Sequence, residues 1–175
     1  MKKITMALTA MMFVLFAFQS QAQISLNGTV GMFKSTTSGS DAQWGFNLAG
    51  KYNLNDKMRI GANIGYYSTS VTLFNMTLTS SSMPITGLFE YRFAEDGIAP
   101  YVGADFGIYR FALSSNAAGS STISNSYLGF APVVGLDFGI TDNISLNANY
   151  KFHYVLSDIS STSVNSINAG ISYKF

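Results

Sequence analysis

The fold class is decided by one stretch of sequence, QWGFNLAGKYNL at residues 43–54. Its even positions carry one glycine and five large apolar side chains, Trp44, Phe46, Leu48, Tyr52 and Leu54, whereas its odd positions are polar or small. Successive side chains of a β-strand point to opposite faces of the sheet. The period of two therefore predicts a strand with one apolar face and one polar face.

The same alternation recurs along the rest of the chain, and no stretch shows the period of an amphipathic helix. Eight strand segments are predicted, at residues 24–34, 43–54, 58–70, 80–93, 98–112, 127–140, 144–156 and 164–175. The chain is therefore predicted to be all-β.

The links between these segments alternate in length. Three are short polar turns, at residues 55–57, 94–97 and 141–143, and four are longer and rich in Ser, Thr and Asn, around residues 35–42, 71–79, 113–126 and 157–163. Short turns at one end and long loops at the other are typical of a bacterial outer-membrane barrel, with the short turns in the periplasm.

Composition narrows the function classes. The 175 residues suffice for one compact domain, and a content of 11% charged and 47% hydrophobic residues disfavours a soluble enzyme. The absence of cysteine excludes a disulfide framework, a thiolate metal site and a cysteine nucleophile. A formal net charge of +1 gives no field for a polyanion, so we expect no nucleic-acid partner.

The N-terminus has the pattern of a secretory signal peptide. Lys2 and Lys3 precede an uncharged run at residues 4–18, and Ser20-Gln21-Ala22 offers a small-x-small cleavage site. A membrane-anchor helix is the alternative, but the run is shorter than the ~20 residues that a bilayer requires. We therefore predict a signal peptide at residues 1–22 and one barrel domain at residues 23–175.

The polar faces of the predicted strands indicate what surrounds the sheet. They consist mainly of Gly, Asn, Ser and Ala with isolated charges, which suits a narrow lumen better than a solvated surface. Because unpaired strand edges are not tolerated in hydrocarbon, the sheet must close. We predict an eight-stranded antiparallel transmembrane β-barrel, and a barrel of this size is filled by side chains rather than open as a wide pore.

The last strand carries an independent mark. Gly170, Tyr173 and Phe175 follow the order polar-x-Gly-x-x-aromatic-x-aromatic, which resembles the terminal signal that the outer-membrane insertion machinery recognises. Residues 89–93, 99–107 and 135–143 are similar to the small outer-membrane β-barrel domain of the porin family, which includes the OmpX-like and OmpW-like barrels. The resemblance covers residues 24–175. It implies a monomeric protein of the bacterial outer membrane whose partners are membrane lipid, lipopolysaccharide and the insertion machinery.

The polar face also carries most of the charged residues. Strand direction places six of them toward the periplasmic half of the lumen and two nearer its middle, in the order Lys51, Arg59, Glu90, Arg92, Asp137 and Lys174, then Asp105 and Lys151. Unpaired charges there would each cost several kcal/mol, so we expect an ion-pair network in which Glu90 compensates Arg92, its neighbour on the same face of the strand, or Lys51. An ion-conducting pathway is the alternative.

Above the membrane, the same parity turns the inner face apolar. It places eight residues around an extracellular mouth, Val71, Leu73, Met76, Leu78, Phe111, Leu113, Ile123 and Tyr127, with Val155 and Val164 nearby. These side chains either pack the protruding hairpins or form a site for a small apolar ligand, as in the OmpW-like barrels.

Three further residues have both a functional and a structural interpretation. His153 faces the lumen opposite Ala131, so no triad partner is evident, and we expect a structural hydrogen bond rather than catalysis. Since His153 is the sole histidine and the acidic residues are scattered, we expect neither a metal nor a cofactor. Lys34 and Arg110 face lipid at the extracellular rim, where they either contact lipopolysaccharide phosphates or extend into headgroup water.

The sequence as a whole favours a structural or surface-interaction barrel with at most a narrow conduit. The alternative is binding or passage of a small hydrophobic molecule through the apolar mouth.

Overall fold

The computed structural model describes residues 24–37, 39–73, 76–94, 97–116, 122–156 and 162–175. The predicted signal peptide, residues 1–22, lies outside these residues. No helix in the described part of the chain is long and apolar enough to cross a membrane.

The described residues form eight strands that close into one antiparallel barrel, each strand pairing with its neighbours in sequence and the last pairing with the first. The strands are β1 (Ile24–Ser35), β2 (Gln43–Asn53), β3 (Met58–Leu73), β4 (Met76–Arg92), β5 (Ile98–Ser115), β6 (Ile123–Gly139), β7 (Ile144–Leu156) and β8 (Thr162–Lys174). The predicted fold class is confirmed.

The register fixes the shape of the barrel. Each of the eight ladders keeps one register along its length, so the side-chain parity of every strand is unbroken. A path that starts at Val134 on β6 and moves from each residue to its partner on the next strand returns to β6 at Ser124. The two positions, 134 and 124, differ by ten residues, so the shear of the barrel is ten. Eight strands with this stagger are tilted by roughly 40°, and the interior of such a barrel is narrow enough for side chains to fill most of it.

The distribution of polarity is the reverse of that in a soluble protein. Among the described residues, nineteen buried side chains are polar or charged and eleven are hydrophobic. The outer face is apolar, with Val30 and Trp44 on neighbouring strands and Phe106 on the opposite wall all more than 60% exposed. This arrangement suits a lipid environment outside and a hydrogen-bonded polar core inside.

Four strands are longer than the others. β3, β4, β5 and β6 have 16, 17, 18 and 17 residues, whereas the remaining strands have 11 to 13. The loop expected around residues 71–79 is therefore wrong, because β3 continues to Leu73 and β4 begins at Met76. Hydroxyl pairs hold this hairpin together beyond the apolar band, with Ser70 and Thr79 at 2.9 Å and Thr72 and Thr77 at 3.0 Å. Thr favours extended structure, so a run rich in Thr can continue a strand where composition alone indicates a loop.

Candidate functional site

A group of charged side chains lies across the periplasmic half of the lumen and is here called the charged floor: Lys51, Arg59, Glu90, Arg92 and Asp137. Glu90 accepts from Lys51 Nζ at 2.9 Å and lies 2.6 Å from Arg59 Nη2. Arg59 Nη1 donates to Asp137 Oδ2 at 2.7 Å, and Arg92 Nε lies 3.9 Å from the same oxygen. The ions come from β2, β3, β4 and β6, so the network ties opposite walls together.

The ion pairs of Glu90 include one of its two expected partners, Lys51, and not the other, its neighbour Arg92 on β4. Although the two side chains lie on the same face of β4, Glu90 contacts cations on β2 and β3, and Arg92 turns toward Asp137 on β6. In a narrow lumen, side chains from facing strands are closer than the next inward residue on the same strand.

Tyr101 packs against the charged floor and is itself buried. Its ring lies 5.4 Å from Lys51 Nζ and 5.0 Å from the Arg59 guanidinium carbon, which are cation–π distances. Asn147 donates to Asp137 at 2.6 Å and to the Tyr101 hydroxyl at 3.0 Å. The floor is thus held by hydrogen bonds and aromatic contact as well as by ion pairs.

A second ion pair crosses the middle of the lumen. Lys151 Nζ donates to Asp105 Oδ2 at 2.7 Å, and both side chains are buried. Asn63 and Thr86 donate to the same carboxylate oxygen at 3.2 and 3.4 Å. This pair lies where the sequence placed it, between the charged floor and the apolar residues above.

Above this pair lies an aromatic layer formed by Phe33, Tyr67, Tyr109 and His153. Phe33 stacks on Tyr67 with the ring centroids 5.1 Å apart, and both residues are 3% exposed. The rings of Phe33 and Tyr109 approach the His153 imidazole to 5.1 and 5.4 Å. The four rings lie across the lumen on its extracellular side.

Both ring nitrogens of His153 are occupied. Nδ1 lies 2.9 Å from the Tyr109 hydroxyl and Nε2 lies 2.8 Å from Ser166 Oγ, and all three residues are buried. Among the described residues, no group of three or more His, Asp or Glu side chains is arranged to hold a metal ion. The geometry makes His153 a structural link between β5, β7 and β8.

Sequence reasoning did not single out Phe33, Tyr67, Tyr101 or Tyr109. All four have the inward parity of their strands, so the parity that placed the charged residues could also have placed them.

Lys174 does not join the buried network, which corrects its predicted role. It is exposed at the end of β8 and lines a cavity of about 390 Å³ at the periplasmic end of the barrel. Arg59, Arg92 and Asp137 form the inner wall of this cavity.

At the extracellular end, a cavity of about 430 Å³, here called the cup, opens above the aromatic layer. Val71, Leu78, Phe111 and Leu113 line it, as the parity of their strands predicted, and Phe33 and Val164 also line it.

The other predicted mouth residues lie elsewhere. Tyr127 packs against Phe111, with the ring centroids 6.3 Å apart, and Val155 is buried in the core beside it. Met76 lies at the tip of the β3–β4 hairpin opposite Leu73, and Ile123 is 63% exposed at the start of β6. Tyr127 and Val155 therefore face inward as predicted but do not line the cup, whereas Met76 and Ile123 are not in the mouth because the hairpins rise past the cup. The Leu73 side chain lies outside the described residues.

Two basic residues face outward at the extracellular rim. Lys34 is exposed on β1 opposite Asn165, and Arg110 is exposed on β5 with Nη2 3.4 Å from Ser124 Oγ. Neither side chain enters the lumen.

The three residues of the predicted C-terminal insertion signal, Gly170, Tyr173 and Phe175, each make a close contact in the structure. A Cβ on Gly170 would overlap the backbone of Gly28 and Thr29, so only glycine fits this approach of β8 to β1. The Tyr173 and Phe175 rings meet edge to face at 5.0 Å, and the Phe175 amide donates to Ile24 O at 3.0 Å, which helps to close the barrel.

Comparison with known proteins places the chain in a family. The family model described as the outer membrane protein beta-barrel domain matches residues 5–175. No curated protein sequence matches this chain significantly.

Solved structures have the same fold. Neisserial surface protein A (NspA) superposes with a TM-score of 0.69 at 20% identity, covering 87% of this chain and 97% of that one. Ail of Yersinia pestis, the attachment invasion locus protein solved with the heparin analogue sucrose octasulfate, gives 0.63 at 17% identity, covering 87% and 97%. OprG from Pseudomonas aeruginosa gives 0.54 at 14% identity, covering 87% and 95%. Together with the family match, the closed eight-stranded barrel shows that the chain belongs to the outer-membrane protein β-barrel domain family and resides in the bacterial outer membrane.

Proposed function

We propose that this protein is a closed membrane anchor that presents the sheet of β3, β4, β5 and β6 outside the cell. The observation that carries the proposal is the length of these strands, 16 to 18 residues against 11 to 13 for the others. About 11 tilted residues cross the apolar band of an outer membrane. The surplus residues of the four strands therefore project into the medium.

The blocked lumen supports a surface role rather than a diffusion role. The charged floor, the Asp105–Lys151 pair and the aromatic layer are stacked along the axis, and their side chains bond across it. Moving an ion through would require breaking pairs that are buried in low dielectric, which is costly.

The chemistry of the projecting sheet limits the kind of partner. Its outward face carries the hydroxyl pairs Ser70–Thr79 and Thr72–Thr77, and residues 69–82 and 111–127 contain no charged residue. Contacts through hydroxyl and amide groups are therefore favoured over attraction of a polyanion such as the heparin analogue bound by Ail.

We infer no catalytic role for His153. Its hydroxyl neighbours Tyr109 and Ser166 are each 1% exposed, so the chain Tyr109–His153–Ser166 offers no room for a substrate. A structural link between strands accounts for both hydrogen bonds.

A second candidate function is the binding of a small hydrophobic molecule in the cup. Its size falls within the range of small-molecule sites, and Leu78, Phe111 and Leu113 give it an apolar wall. The aromatic layer beneath the cup makes retention there more plausible than passage through the barrel.

Site-specific labelling tests the proposed presentation, because the native chain contains no cysteine. In whole cells, a membrane-impermeant maleimide should label Asn116→Cys, which lies beyond the end of β5, and should not label Asp56→Cys in the turn between β2 and β3. Labelling of Asp56→Cys alone would reverse the orientation and overturn the proposal.

A shortened hairpin tests the surface role itself. Replacing residues 70–79 by an Asn-Gly turn should leave barrel assembly intact, since the aromatic layer and the charged floor lie below it. Adherence of the cells to protein-coated surfaces should fall toward that of cells lacking the protein. Unchanged adherence of a correctly assembled variant would contradict the surface-interaction role.

A further inference from the structure

Among the described residues that line the cup, two side-chain polar atoms have no hydrogen-bond partner and are buried beneath neighbouring atoms. They are Ser82 Oγ, on a residue that is 2% exposed, and Gln43 Oε1. The opposite end of the Gln43 amide donates to Ser80 Oγ at 3.0 Å, and Ser80 shares the inner face of β4 with Ser82. The two unpartnered atoms therefore lie on the same side of the cup.

Six of the twelve other residues that line the cup are apolar, and the other six are Ser35, Ser40, Asp41, Thr69, Ser80 and Thr162. Val71, Leu78, Phe111 and Leu113 surround the opening, and Phe33 and Val164 lie beneath it. A purely hydrocarbon ligand would fill this space but would leave Ser82 and Gln43 unsatisfied, which costs free energy in a buried site.

The charge of the residues that line the cup limits the class of ligand further. Among the described residues that line the cup, Asp41 carries the single charge, and none of them is basic. A carboxylate or phosphate head would meet a negative charge with no cation to neutralise it, so anionic amphiphiles are disfavoured.

We propose that the cup binds a small amphiphile with an apolar body and a neutral or cationic hydrogen-bonding head, such as an alcohol or a primary amine. The body lies against Leu78, Phe111 and Leu113, and the head exchanges hydrogen bonds with Ser82 Oγ and Gln43 Oε1 after these two side chains rotate toward the cup. This inference rests on the second candidate function, since it names the ligand class of the same cup.

The test uses the full barrel in lipid nanodiscs and four eight-carbon probes: 1-octanol, octylamine, octanoate and 1-chlorooctane. Binding is followed by the amide chemical shifts of cup residues at equal free aqueous concentrations of the probes. Octanol and octylamine should saturate the site about three- to tenfold more tightly than chlorooctane, the range of one ordinary net hydrogen bond. Octanoate should bind more weakly than octanol.

Two serine variants assign the head group. Ser82→Ala should remove most of the preference for octanol over chlorooctane, whereas Ser81→Ala, on the outward face of the same strand, should retain it. Leu113→Asn should weaken the binding of all four probes, because it replaces part of the apolar wall with a polar side chain.

The possible outcomes distinguish a failure of this inference from a failure of the second candidate function on which it rests. Equal binding of octanol and chlorooctane, unchanged by Ser82→Ala, would overturn the head-group assignment and leave an apolar site. Tighter binding of octanoate would overturn the charge argument. Absence of saturable binding by every probe would overturn both the inference and the second candidate function.

Discussion

Glu90 connects two cations from different strands at the base of the lumen. It is 3% exposed, and it contacts Lys51 at 2.9 Å and Arg59 at 2.6 Å. A carboxylate in this position cannot be removed without leaving positive charges close together in a region with little water. The stability of the barrel interior thus depends on particular ion pairs, whereas the stability of a soluble protein's core depends on apolar packing.

We expect Glu90→Ala to destabilise the barrel by about 3–5 kcal/mol, the order for removing one partner of a buried pair. Equilibrium unfolding in urea from lipid vesicles would measure the loss. Asp142→Ala, in the exposed turn before β7, should change stability little and serves as the control. A small loss for Glu90→Ala would mean that Lys51 and Arg59 are solvated.

Gly135 faces the Tyr101 ring across the β5–β6 ladder, and a Cβ there would overlap the ring. We therefore expect Gly135→Ala to displace Tyr101 from the charged floor and to cost about 1–3 kcal/mol, as overpacking does. The matched control is Gly139→Ala on the same strand, where the nearest atom would lie at 3.7 Å. Equal unfolding free energies of the two variants would refute the close fit.

The contact with lipopolysaccharide phosphates at the extracellular rim can be tested at Arg110. Its exposed guanidinium can hold phosphate oxygens in pairs, so Arg110→Ala should lose about 1 kcal/mol more stability in bilayers with lipopolysaccharide than in bilayers without it. Lys34→Ala should show the same trend more weakly. Lys57→Ala, in the exposed β2–β3 turn, is the control. Identical losses in both bilayers would leave extension into headgroup water as the explanation.

At the scale of the elements, the sequence predicts all eight strands because each strand has one face toward lipid and the other toward the lumen. Alternation of Trp44, Phe46 and Leu48 with polar residues requires one lipid face and one lumen face, and β2 has this arrangement. The pattern fails where both faces meet water. The hairpin of β3 and β4 is therefore longer than expected, held by pairs such as Ser70 with Thr79.

The closing strand carries its own prediction. Removing Phe175 deletes the ring that packs on Tyr173 and the amide that bonds to Ile24, and it removes the terminal aromatic of the proposed insertion signal. We expect deletion of Phe175 or Phe175→Asp to reduce the heat-modifiable form in outer-membrane fractions, with protein accumulating or degraded in the periplasm. Phe175→Tyr should assemble normally. Normal levels of the deletion variant would show that the signal lies elsewhere.

At the scale of the whole molecule, the partners inside the lumen could not be predicted from the sequence. Inward parity identified Lys51, Arg59, Glu90 and Asp137, but which of them meet depends on the shear of the barrel and its diameter. Of the two partners that the sequence suggests for Glu90, the stagger brings Lys51 beside it rather than Arg92, and it adds Arg59.

The layers along the axis explain why a polar lumen need not conduct. The charged floor, the Asp105–Lys151 pair and the aromatic layer lie one above another along the axis, and each is held by contacts of its own. The extracellular cup and the periplasmic cavity lie on either side of this block. What the protein does is therefore expected at its outer surface and in the cup.

Single-channel recording of the refolded protein in planar bilayers tests this closure most directly. The wild-type barrel should give no discrete conductance steps, whereas Tyr67→Ala combined with Tyr109→Ala and Glu90→Ala, which removes side chains from two of the blocking layers, should give small and unstable steps. Regular steps from the wild-type protein, with conductance proportional to salt concentration, would contradict a closed lumen.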